Sequence, residues 1–234
     1  MLDVQHLNAW WGQAQALFDV SVQVGPGELV VLQGLNGAGK SSLLQAIMGL
    51  GPRCEARITY QPGAAGPAGP AATKATTTAA PVAQRIDTWP AHRRAQAGLG
   101  YVAEDRRLWA GLSVQDNLTL AARGDAATQA ANRERVLALF PVLQTMLQRP
   151  ASQMSGGEQQ MLAIARTLMT APQFLLLDEP CEGIAPVLVE SIAQALWQLK
   201  QQGMPMLVAE QNRVLASRAD RVITLVAGQV HNAS

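Results

Sequence analysis

Residues 29–48 read LVVLQGLNGAGKSSLLQAIM and join a short apolar run, a glycine-rich loop and a helix-forming segment. The apolar residues Leu29–Leu32 predict a short strand that is covered on both faces. The segment Lys40–Met48 predicts a helix that ends at Gly49, because glycine readily follows the last turn of a helix. Between them, Gly34–Ser41 matches the pattern G-x-x-x-x-G-K-S/T in the strand-to-helix context that a phosphate-binding loop requires.

The glycine-rich loop predicts a nucleotide site. Its glycines let successive backbone N–H groups converge on anionic oxygens, and the following helix adds its positive N-terminal end. Lys40 would bring a full charge to the β and γ phosphates, and the Ser41 hydroxyl would bind Mg²⁺. A glycine-rich turn that matches the pattern by chance is the alternative. The predicted ATP-binding residues of this stretch are Gly34, Leu35, Asn36, Gly37, Ala38, Gly39, Lys40, Ser41 and Ser42.

Length and composition restrict the classes of protein that need to be considered. The chain of 234 residues, with 48% hydrophobic residues, is long enough for one large domain or for a core with a smaller lobe. A net charge of +1 gives no support for a nucleic-acid partner. The start of the chain, Met1–Gln5, lacks the features of a signal peptide, and no apolar run approaches the ~20 residues of a membrane span. We therefore expect a protein inside the cell that meets a membrane only through a partner, with Cys54 and Cys181 as reduced thiols.

The middle of the chain changes character. From about residue 61 to residue 84 it consists largely of Ala, Pro, Gly and Thr, which predicts a flexible surface insertion rather than a linker between domains. Pro90–Ala97 predicts a helix, and Gly100–Val102 predicts a short strand. The helical periodicity of Ser113–Arg123 and Asn132–Phe140 indicates a small helical lobe inserted into the core.

Helices and strands alternate after Ser155, which predicts a mostly parallel α/β sheet. The predicted elements are Gly157–Thr170, Phe174–Asp178, Pro186–Gln202, Met206–Ala209, Arg213–Ser217 and Val222–Val226. The strand that ends at Asp178 is followed by Glu179, at the sheet edge where α/β proteins bind ligands. Asp178 is therefore a candidate Mg²⁺ ligand, and Glu179 is a candidate base for the attacking water. A strand that ends in two solvated acids is the alternative.

A second anion site is predicted at Met154–Gln159, where a serine and two glycines begin a helix. The sequence Ser-Gly-Gly-Glu-Gln, followed by Leu-Leu-Leu-Asp-Glu-Pro, resembles the signature and Walker B motifs of ABC ATPases. In that family the signature of one subunit caps the ATP that the phosphate loop of another subunit holds. The resemblance assigns this role to Ser155, Gly156, Gly157 and Glu158 and implies two ATP molecules in a dimer. A helix N-cap without that role is the alternative for Ser155.

The resemblance covers nearly the whole chain and implies a single ABC ATPase domain over residues 1–234. Its fold would be α/β, a P-loop NTPase of ABC type, with a RecA-like, mostly parallel sheet core, an antiparallel β lobe and an inserted α-helical lobe. The Q-loop and helical lobe would occupy about residues 104–150. Trp11 would stack on adenine, whereas Trp10 would pack against the protein; both tryptophans packing in the core is the alternative.

Further segments narrow the resemblance to the shorter ATPase of branched-chain amino acid importers, although urea and amide importers look much the same. These segments include Trp10–Gly12, Gly98–Arg107, Glu182–Pro186 and Val208–Asn212. The resemblance implies a motor subunit that hydrolyses ATP with Mg²⁺, peripheral on the cytoplasmic side of the inner membrane. Its partners would be two transmembrane permease subunits, a second ABC ATPase subunit in a hetero- or homodimer and, indirectly, a periplasmic substrate-binding protein, with no nucleic acid.

Two positions depart from the wider family. Glu104 stands where Gln is usual; a carboxylate is still a hard oxygen ligand, so a role at Mg²⁺ survives. Gln211 stands where His is frequent, and an amide can donate to the γ-phosphate but cannot take up a proton. We therefore hypothesise that catalysis involves Glu179 and Gln211, depends mainly on Glu179 and is modest in the isolated subunit.

Three other functions compete with the transporter hypothesis. A cassette that binds ATP without turnover remains compatible with Glu104 and Gln211. A chromosome or translation factor would normally carry a long coiled coil or a second cassette, and the sequence shows neither. A P-loop kinase or GTPase would leave Ser155–Gln159 unexplained, and no Asn-Lys-x-Asp sequence occurs.

Overall fold

The computed structural model describes residues 1–63 and 82–233, and within them ten strands form two sheets. The central sheet has the order β10-β9-β3-β8-β7-β6, and its strands are parallel except for β10 at one edge. The second sheet is antiparallel, in the order β2-β1-β4-β5. The strands are β1 (Leu2–Trp11), β2 (Ala14–Val24), β3 (Leu29–Gln33), β4 (Arg53–Tyr60), β5 (Gln84–Arg85), β6 (Leu99–Val102), β7 (Phe174–Asp178), β8 (Met206–Ala209), β9 (Arg221–Val226) and β10 (Gln229–Ala233).

Helices cover both faces of the central sheet, and three of them lie in the chain between β6 and the helix that begins after Ser155. They are α1 (Lys40–Met48), α2 (Ala91–Gln96), α3 (Val114–Ala121), α4 (Ala126–Leu139), α5 (Pro141–Gln144), α6 (Gly156–Leu168), α7 (Pro186–Gln201) and α8 (Arg213–Ala216). A 3₁₀ turn, Ala151–Gln153, precedes α6. The fold is the predicted one: a mostly parallel core, an antiparallel β lobe and an inserted helical lobe.

The continuous apolar strands are explained by two hydrophobic cores, one on each side of the central sheet. Successive side chains of a strand point to opposite faces. Leu29 and Val31 of β3 therefore pack with α3–α7, whereas Val30 and Leu32 pack with α1 and the antiparallel sheet. Because both faces are covered, β3 has no polar face, and the prediction from its unbroken apolar run is confirmed.

Most of the predicted elements occur within a residue or two of their expected bounds, but α4 begins at Ala126 rather than Asn132. Asp125 caps this helix by accepting a hydrogen bond from the Thr128 amide at 2.8 Å. The added first turns are rich in alanine, which favours a helix without producing an apolar stripe. The strands β4, β5 and β10 and the short helix α5 were not predicted. The predicted insertion at residues 61–84 falls largely outside the described residues, since 64–81 are not among them.

A buried arginine anchors the helix that follows the phosphate loop. Arg94 of α2 is 2% exposed, and its Nη1 donates to the carbonyl oxygens of Ala46 and Ile47 at 2.9 and 2.7 Å. Its Nε and Nη2 donate to the carbonyls of Trp89 and Asp87. A cation at a helix C-terminus satisfies carbonyls that lack intrahelical partners and complements the negative end of the dipole. Arg94 thereby fixes the far end of α1.

Candidate functional site

A polar hollow of about 510 Å³ lies where the phosphate loop meets the loops that follow β6 and β7. Carboxyl ends of the parallel strands meet along this edge of the sheet, as expected for a ligand site. Nine predicted site residues line the hollow: Trp11, Asn36, Gly37, Gly39, Lys40, Ser41, Ser42, Glu104 and Glu179. The structure thus brings together residues as distant in the sequence as Trp11 and Glu179.

The phosphate loop needs its glycines for both conformation and space. Gly39 has φ +104, and a Cβ there would lie 2.7 Å from Leu17 Cδ2. A Cβ added at Gly34 would lie only 2.4 Å from the Leu225 carbonyl oxygen. Larger residues would therefore push the loop away from β2 and β9. Glycine is therefore required at these two positions for the loop to pack as it does at the start of α1.

Lys40 lines the hollow and is held there by three acceptors. It is 3% exposed, and its Nζ donates to the carbonyls of Gly34 and Leu35 at 2.9 and 3.3 Å. The same Nζ lies 2.9 Å from Glu179 Oε1. A buried ammonium group with three acceptors is electrostatically satisfied and oriented. An anion that binds Lys40 therefore comes within reach of the Glu179 carboxylate.

Ser41 and Asp178 form the second part of the site. Ser41 Oγ donates to Asp178 Oδ1 at 2.8 Å, and Tyr101 Oη donates to Asp178 Oδ2 at 3.1 Å. Asp178 is 1% exposed. Burial raises the pKa of Asp178; the two hydrogen bonds lower it, and the charges of Glu104 and Glu179 raise it further. Burial of this negative charge is unfavourable, and the hydrogen bonds from Ser41 and Tyr101 partly offset it.

This cluster fits a magnesium ion. Serine hydroxyl and carboxylate are hard oxygen ligands, and Glu104 stands nearby. Among residues 1–63 and 82–233, no group of three or more His, Cys, Asp or Glu side chains could hold a metal ion. Mg²⁺ suits such a sparse site because it usually takes one or two protein ligands and completes its shell with phosphate and water.

Glu179 adopts a strained backbone with φ +47, in the left-handed region that non-glycine residues rarely enter. Burial acts to raise its pKa, but hydrogen bonds with Glu182, Lys40 and Gln211 and the charge of Lys40 hold the pKa below its usual value. The hydrogen bond with Glu179, followed by the charge of Glu179, raises the pKa of Glu182 to about 7. Glu179 is therefore the ionised member of the pair, which is the form a base requires.

Glu210 connects the loops that carry Glu179 and Gln211. It is 3% exposed, and its Oε2 accepts the Cys181 amide at 2.9 Å. Its Oε1 accepts the amides of Gln211 and Asn212 at 2.8 and 2.9 Å. Three N–H donors satisfy this buried carboxylate and hold both loops against each other.

Gln211 also contacts the phosphate loop directly. Its Nε2 donates to Asn36 Oδ1 at 2.6 Å, and the side chain is exposed. The predicted residue Gln211 therefore lies beside the phosphate loop, and its hydrogen bond to Glu179 links it to the predicted base.

The two tryptophans have different environments. Trp11 is 46% exposed at the edge of the hollow, and its Nε1 donates to Ser42 Oγ at 3.0 Å. Trp10 lies under the Arg53 guanidinium, which is 4.6 Å from its ring centroid. An exposed aromatic ring beside a phosphate site is available to stack on a base, whereas Trp10 packs against the protein.

The signature residues form a capping box at the start of α6. Ser155 Oγ accepts from the Glu158 amide at 3.4 Å, and Glu158 Oε2 accepts from the Ser155 amide at 2.7 Å. Neither these residues nor Gly156 and Gly157 are among those that line the phosphate-loop hollow. Within one chain, the two predicted anion sites are therefore separate.

The geometry agrees with the comparison of the sequence with family models. Residues 17–182 match the model described as ABC transporter, and this range contains the phosphate loop, the signature and the Asp178–Glu179 pair. The chain belongs to the ABC transporter family. It is an ATPase of that family, since the matching model and its ATP-binding relatives support ATP hydrolysis.

Related proteins match this ABC transporter ATPase over almost its full length. It is 35% identical to the high-affinity branched-chain amino acid transport ATP-binding protein BraG of Pseudomonas aeruginosa, over 98% of this chain and 91% of that protein. It is 30% identical to the glutamate/aspartate import ATP-binding protein GltL of Escherichia coli, over 98% and 89% of the two chains. A dimeric ATP-binding cassette, solved in a post-hydrolysis state with ADP and Pi, has the same fold with a TM-score of 0.80. It is 22% identical, and the match covers 100% of this chain and 98% of that one.

Tyr101, Glu182 and Glu210 were not assigned roles from the sequence, although each bonds to a predicted site residue or its neighbour. Tyr101 could have been found from the alternation of a strand parallel to Phe174–Asp178, which places it on the face that carries Asp178. Glu210 lacked such a signal, because a buried acid after an apolar strand resembles an exposed one in sequence.

Proposed function

We propose that this ABC transporter ATPase is the motor subunit of an importer for branched-chain or related amino acids. The observation that carries the proposed ATP hydrolysis is the convergence of Lys40, Ser41 and Glu179 on one hollow. Asp178 is hydrogen-bonded to Ser41 at its edge. The proposed substrate class is supported by the relative named for branched-chain amino acid transport, which aligns over nearly all of both chains.

In the proposed catalytic site, the loop Gly34–Ser42 binds the phosphates and Trp11 stacks on the base. Lys40 binds the β and γ phosphates, which places the γ-phosphate beside Glu179. Glu179 then orients the attacking water and accepts its proton, while Gln211 donates a hydrogen bond. Ser41, Asp178 and Glu104 would hold Mg²⁺, which when bound neutralises charge on the phosphates.

The separation of the signature from the phosphate loop supports a second cassette as partner. Ser155–Glu158 do not line the hollow that holds Lys40. A helix N-terminus with two glycines is suited to an anion, so a phosphate held by another subunit would satisfy it. The proposed assembly is a dimer of cassettes, with this chain or a related chain as the second subunit, and with two ATP molecules between them.

A basic hollow supports permease subunits as further partners. This hollow, of about 650 Å³, lies between α3, α6 and the loop after β6 and is lined by Arg106, Arg107, Arg123 and Arg166. Trp109 and Leu120 line it too and are large exposed apolar residues. A cytoplasmic segment of a permease that carries acidic and apolar residues would complement it. None of the described helices is long and apolar enough to span a bilayer. The proposal assigns transport itself to separate permease subunits and delivery of the substrate to a periplasmic binding protein.

The catalytic proposal is tested with Glu179→Gln. The isosteric amide keeps the size of the side chain but cannot accept a proton, so ATP turnover should fall by about 10²–10⁴-fold. ATP binding should persist, because Lys40 and the loop remain. Phosphate release measures turnover, and calorimetry measures binding. A variant with parental turnover would show that another group is the base.

The substrate class is tested separately, with vesicles that contain this chain and its copurified membrane partners. The vesicles enclose the ATPase and ATP in their lumen, and the binding protein is supplied outside. Labelled leucine should then enter the lumen, and the Glu179→Gln complex should not import it. Import of urea or glutamate in place of leucine would refute the substrate class and leave the ATPase assignment intact.

A further inference from the structure

The two oxygens of Asp178 are held by different elements of the fold. Ser41 of α1 donates to Oδ1 at 2.8 Å, and Tyr101 of β6 donates to Oδ2 at 3.1 Å. We infer that Tyr101 is a positioning residue for the magnesium ligand Asp178: its hydroxyl occupies Oδ2 and leaves Oδ1 to face the metal beside Ser41. The inference rests on the proposed role of Asp178 as a ligand.

The register of the sheet explains how Tyr101 reaches Asp178. Tyr101 pairs with Leu176 in the parallel ladder of β6 and β7, and Asp178 lies two residues further on. Side chains two residues apart share a face of a strand, so Tyr101, Leu176 and Asp178 all point towards α1. The length of the tyrosine ring carries its hydroxyl forward to the end of β7.

Burial makes this hydrogen bond consequential. Asp178 is 1% exposed, so an oxygen that lost its donor would have little access to water. An unmet buried acceptor is costly, and a carboxylate with one free oxygen can rotate or bind a metal through both oxygens. Partners of this kind fix the orientation of metal ligands, and their removal typically weakens metal binding by about 10–100-fold.

Tyr101 also connects the metal site to its surroundings. Its hydroxyl group is hydrogen-bonded with Gln45 of α1, and the loop that carries Glu104 begins directly after β6. Tyr101 and Glu104 line the same small hollow beside Asp178, of about 300 Å³. The residue that orients one candidate ligand thus lies on the strand that leads into the loop of another.

The chain contains only one other tyrosine, which provides a matched control. Tyr60 is 1% exposed, its hydroxyl has no hydrogen-bond partner within the described residues, and its ring packs edge-on against Phe174. Tyr60→Phe and Tyr101→Phe therefore delete the same atom from buried or partly buried rings. Only the Tyr101 change removes a contact with Asp178.

The test measures how Mg²⁺ affects binding of a non-hydrolysable ATP analogue to the full chain, by calorimetry. In Tyr101→Phe, the Mg²⁺ concentration at half-saturation should rise by roughly tenfold. Binding of the analogue in EDTA should be unchanged, because the phosphate loop is intact. Tyr60→Phe should behave as the parent in both conditions, and Asp178→Asn should lose most of the Mg²⁺ effect.

Each remaining outcome refutes a defined part. If Tyr101→Phe keeps parental Mg²⁺ dependence while Asp178→Asn loses it, Tyr101 does not position the ligand. If Tyr101→Phe weakens binding of the analogue in EDTA by the same factor as in Mg²⁺, the hydroxyl has only a structural role and the inference is wrong. If Asp178→Asn itself keeps the parental Mg²⁺ dependence, the proposed ligand is wrong and the inference fails with it.

Discussion

The side chains of Glu179 and Glu182 are hydrogen-bonded to each other at the edge of the proposed catalytic site. The hydrogen bond with Glu179 raises the pKa of Glu182 to about 7, above the value of 4.5 that is typical of this side chain. The folded state therefore binds the Glu182 proton more tightly than the unfolded state. The stability that the proton contributes is complete below pH 4.5 and is lost as the pH rises through about 7.

Glu182→Gln should remove this pH dependence, because the amide donates to Glu179 at any pH. Solvent screening limits the effect at this exposed position, so the Tm of the variant should exceed that of the parent by about 1–2 °C near pH 8. The difference should shrink towards zero near pH 5. Differential scanning calorimetry at both pH values measures it.

Glu134→Gln, on an exposed part of α4, is the matched control. Its Tm difference from the parent should be the same at both pH values. A constant difference for Glu182→Gln as well would mean that the hydrogen bond with Glu179 does not raise the pKa of Glu182.

At this scale the sequence predicted the site residues that belong to a motif, and it missed residues that contact them only in the fold. Lys40, Ser41, Asp178 and Glu179 were predicted because spacing along the chain is enough to place them. Glu182 was part of a recognised segment, but its contact with Glu179 depends on the strained turn at φ +47, which the sequence does not reveal. Their catalytic roles remain proposals for the variants to test.

Among the helices and strands, the helix that follows the phosphate loop depends on contacts from outside its own sequence. Helix α1 spans Lys40–Met48 and is capped by Gly49, as predicted, but a helix of nine residues is too short to be stable by itself. Its last carbonyls, at Ala46 and Ile47, accept hydrogen bonds from Arg94 of α2. Tertiary contacts of this kind are what a short helix requires.

Arg94→Ala should lower the free energy of unfolding by about 3 kcal/mol, because it leaves two buried and two partly buried carbonyls without a charged donor. Urea denaturation monitored by circular dichroism measures the change. The adjacent Arg93→Ala is the control, since Arg93 is exposed and stacks on Trp89 at 4.0 Å. It should cost less than about 1 kcal/mol. Equal losses for both variants would contradict the anchoring role of Arg94.

Element boundaries were predictable where apolar patterns or glycines mark them, as in β3, β7 and α1. The start of α4 was predicted six positions too late, because its alanine-rich turns show no stripe and depend on the Asp125 cap. Strand β4 was missed although Ile58 and Tyr60 alternate with more exposed residues, since its polar start resembles a loop. Local propensity and capping decide such ends, whereas periodicity reports only the packed part.

For the whole molecule, the separation of the two anion sites makes assembly testable. Lys40→Ala should disable the phosphate loop, and Ser155→Arg should place a bulky cation where the signature is proposed to meet ATP. Each variant alone should have little ATPase activity. A mixture should regain activity if dimers form, because a mixed dimer contains one site with both an intact loop and an intact signature.

The control is a mixture in which both chains carry Lys40→Ala, and it should stay inactive. A mixture of Lys40→Ala and Ser155→Arg that also stays inactive, although parental chains form ATP-dependent dimers, would contradict the composite site. Strong activity from Ser155→Arg alone would show that the signature is not needed.

The shared carboxylate of Glu210 limits how this protein can be engineered. The loop after β7 and the loop after β8 both donate backbone N–H groups to this one carboxylate. The donors are Cys181 in the first loop and Gln211 and Asn212 in the second. Glu210 belongs to the loop after β8, so a transplanted loop without this glutamate would also remove the acceptor of the Cys181 amide in the loop after β7. A redesign of the loop after β8 must therefore keep a carboxylate at position 210, or the neighbouring loop loses its hydrogen bond as well.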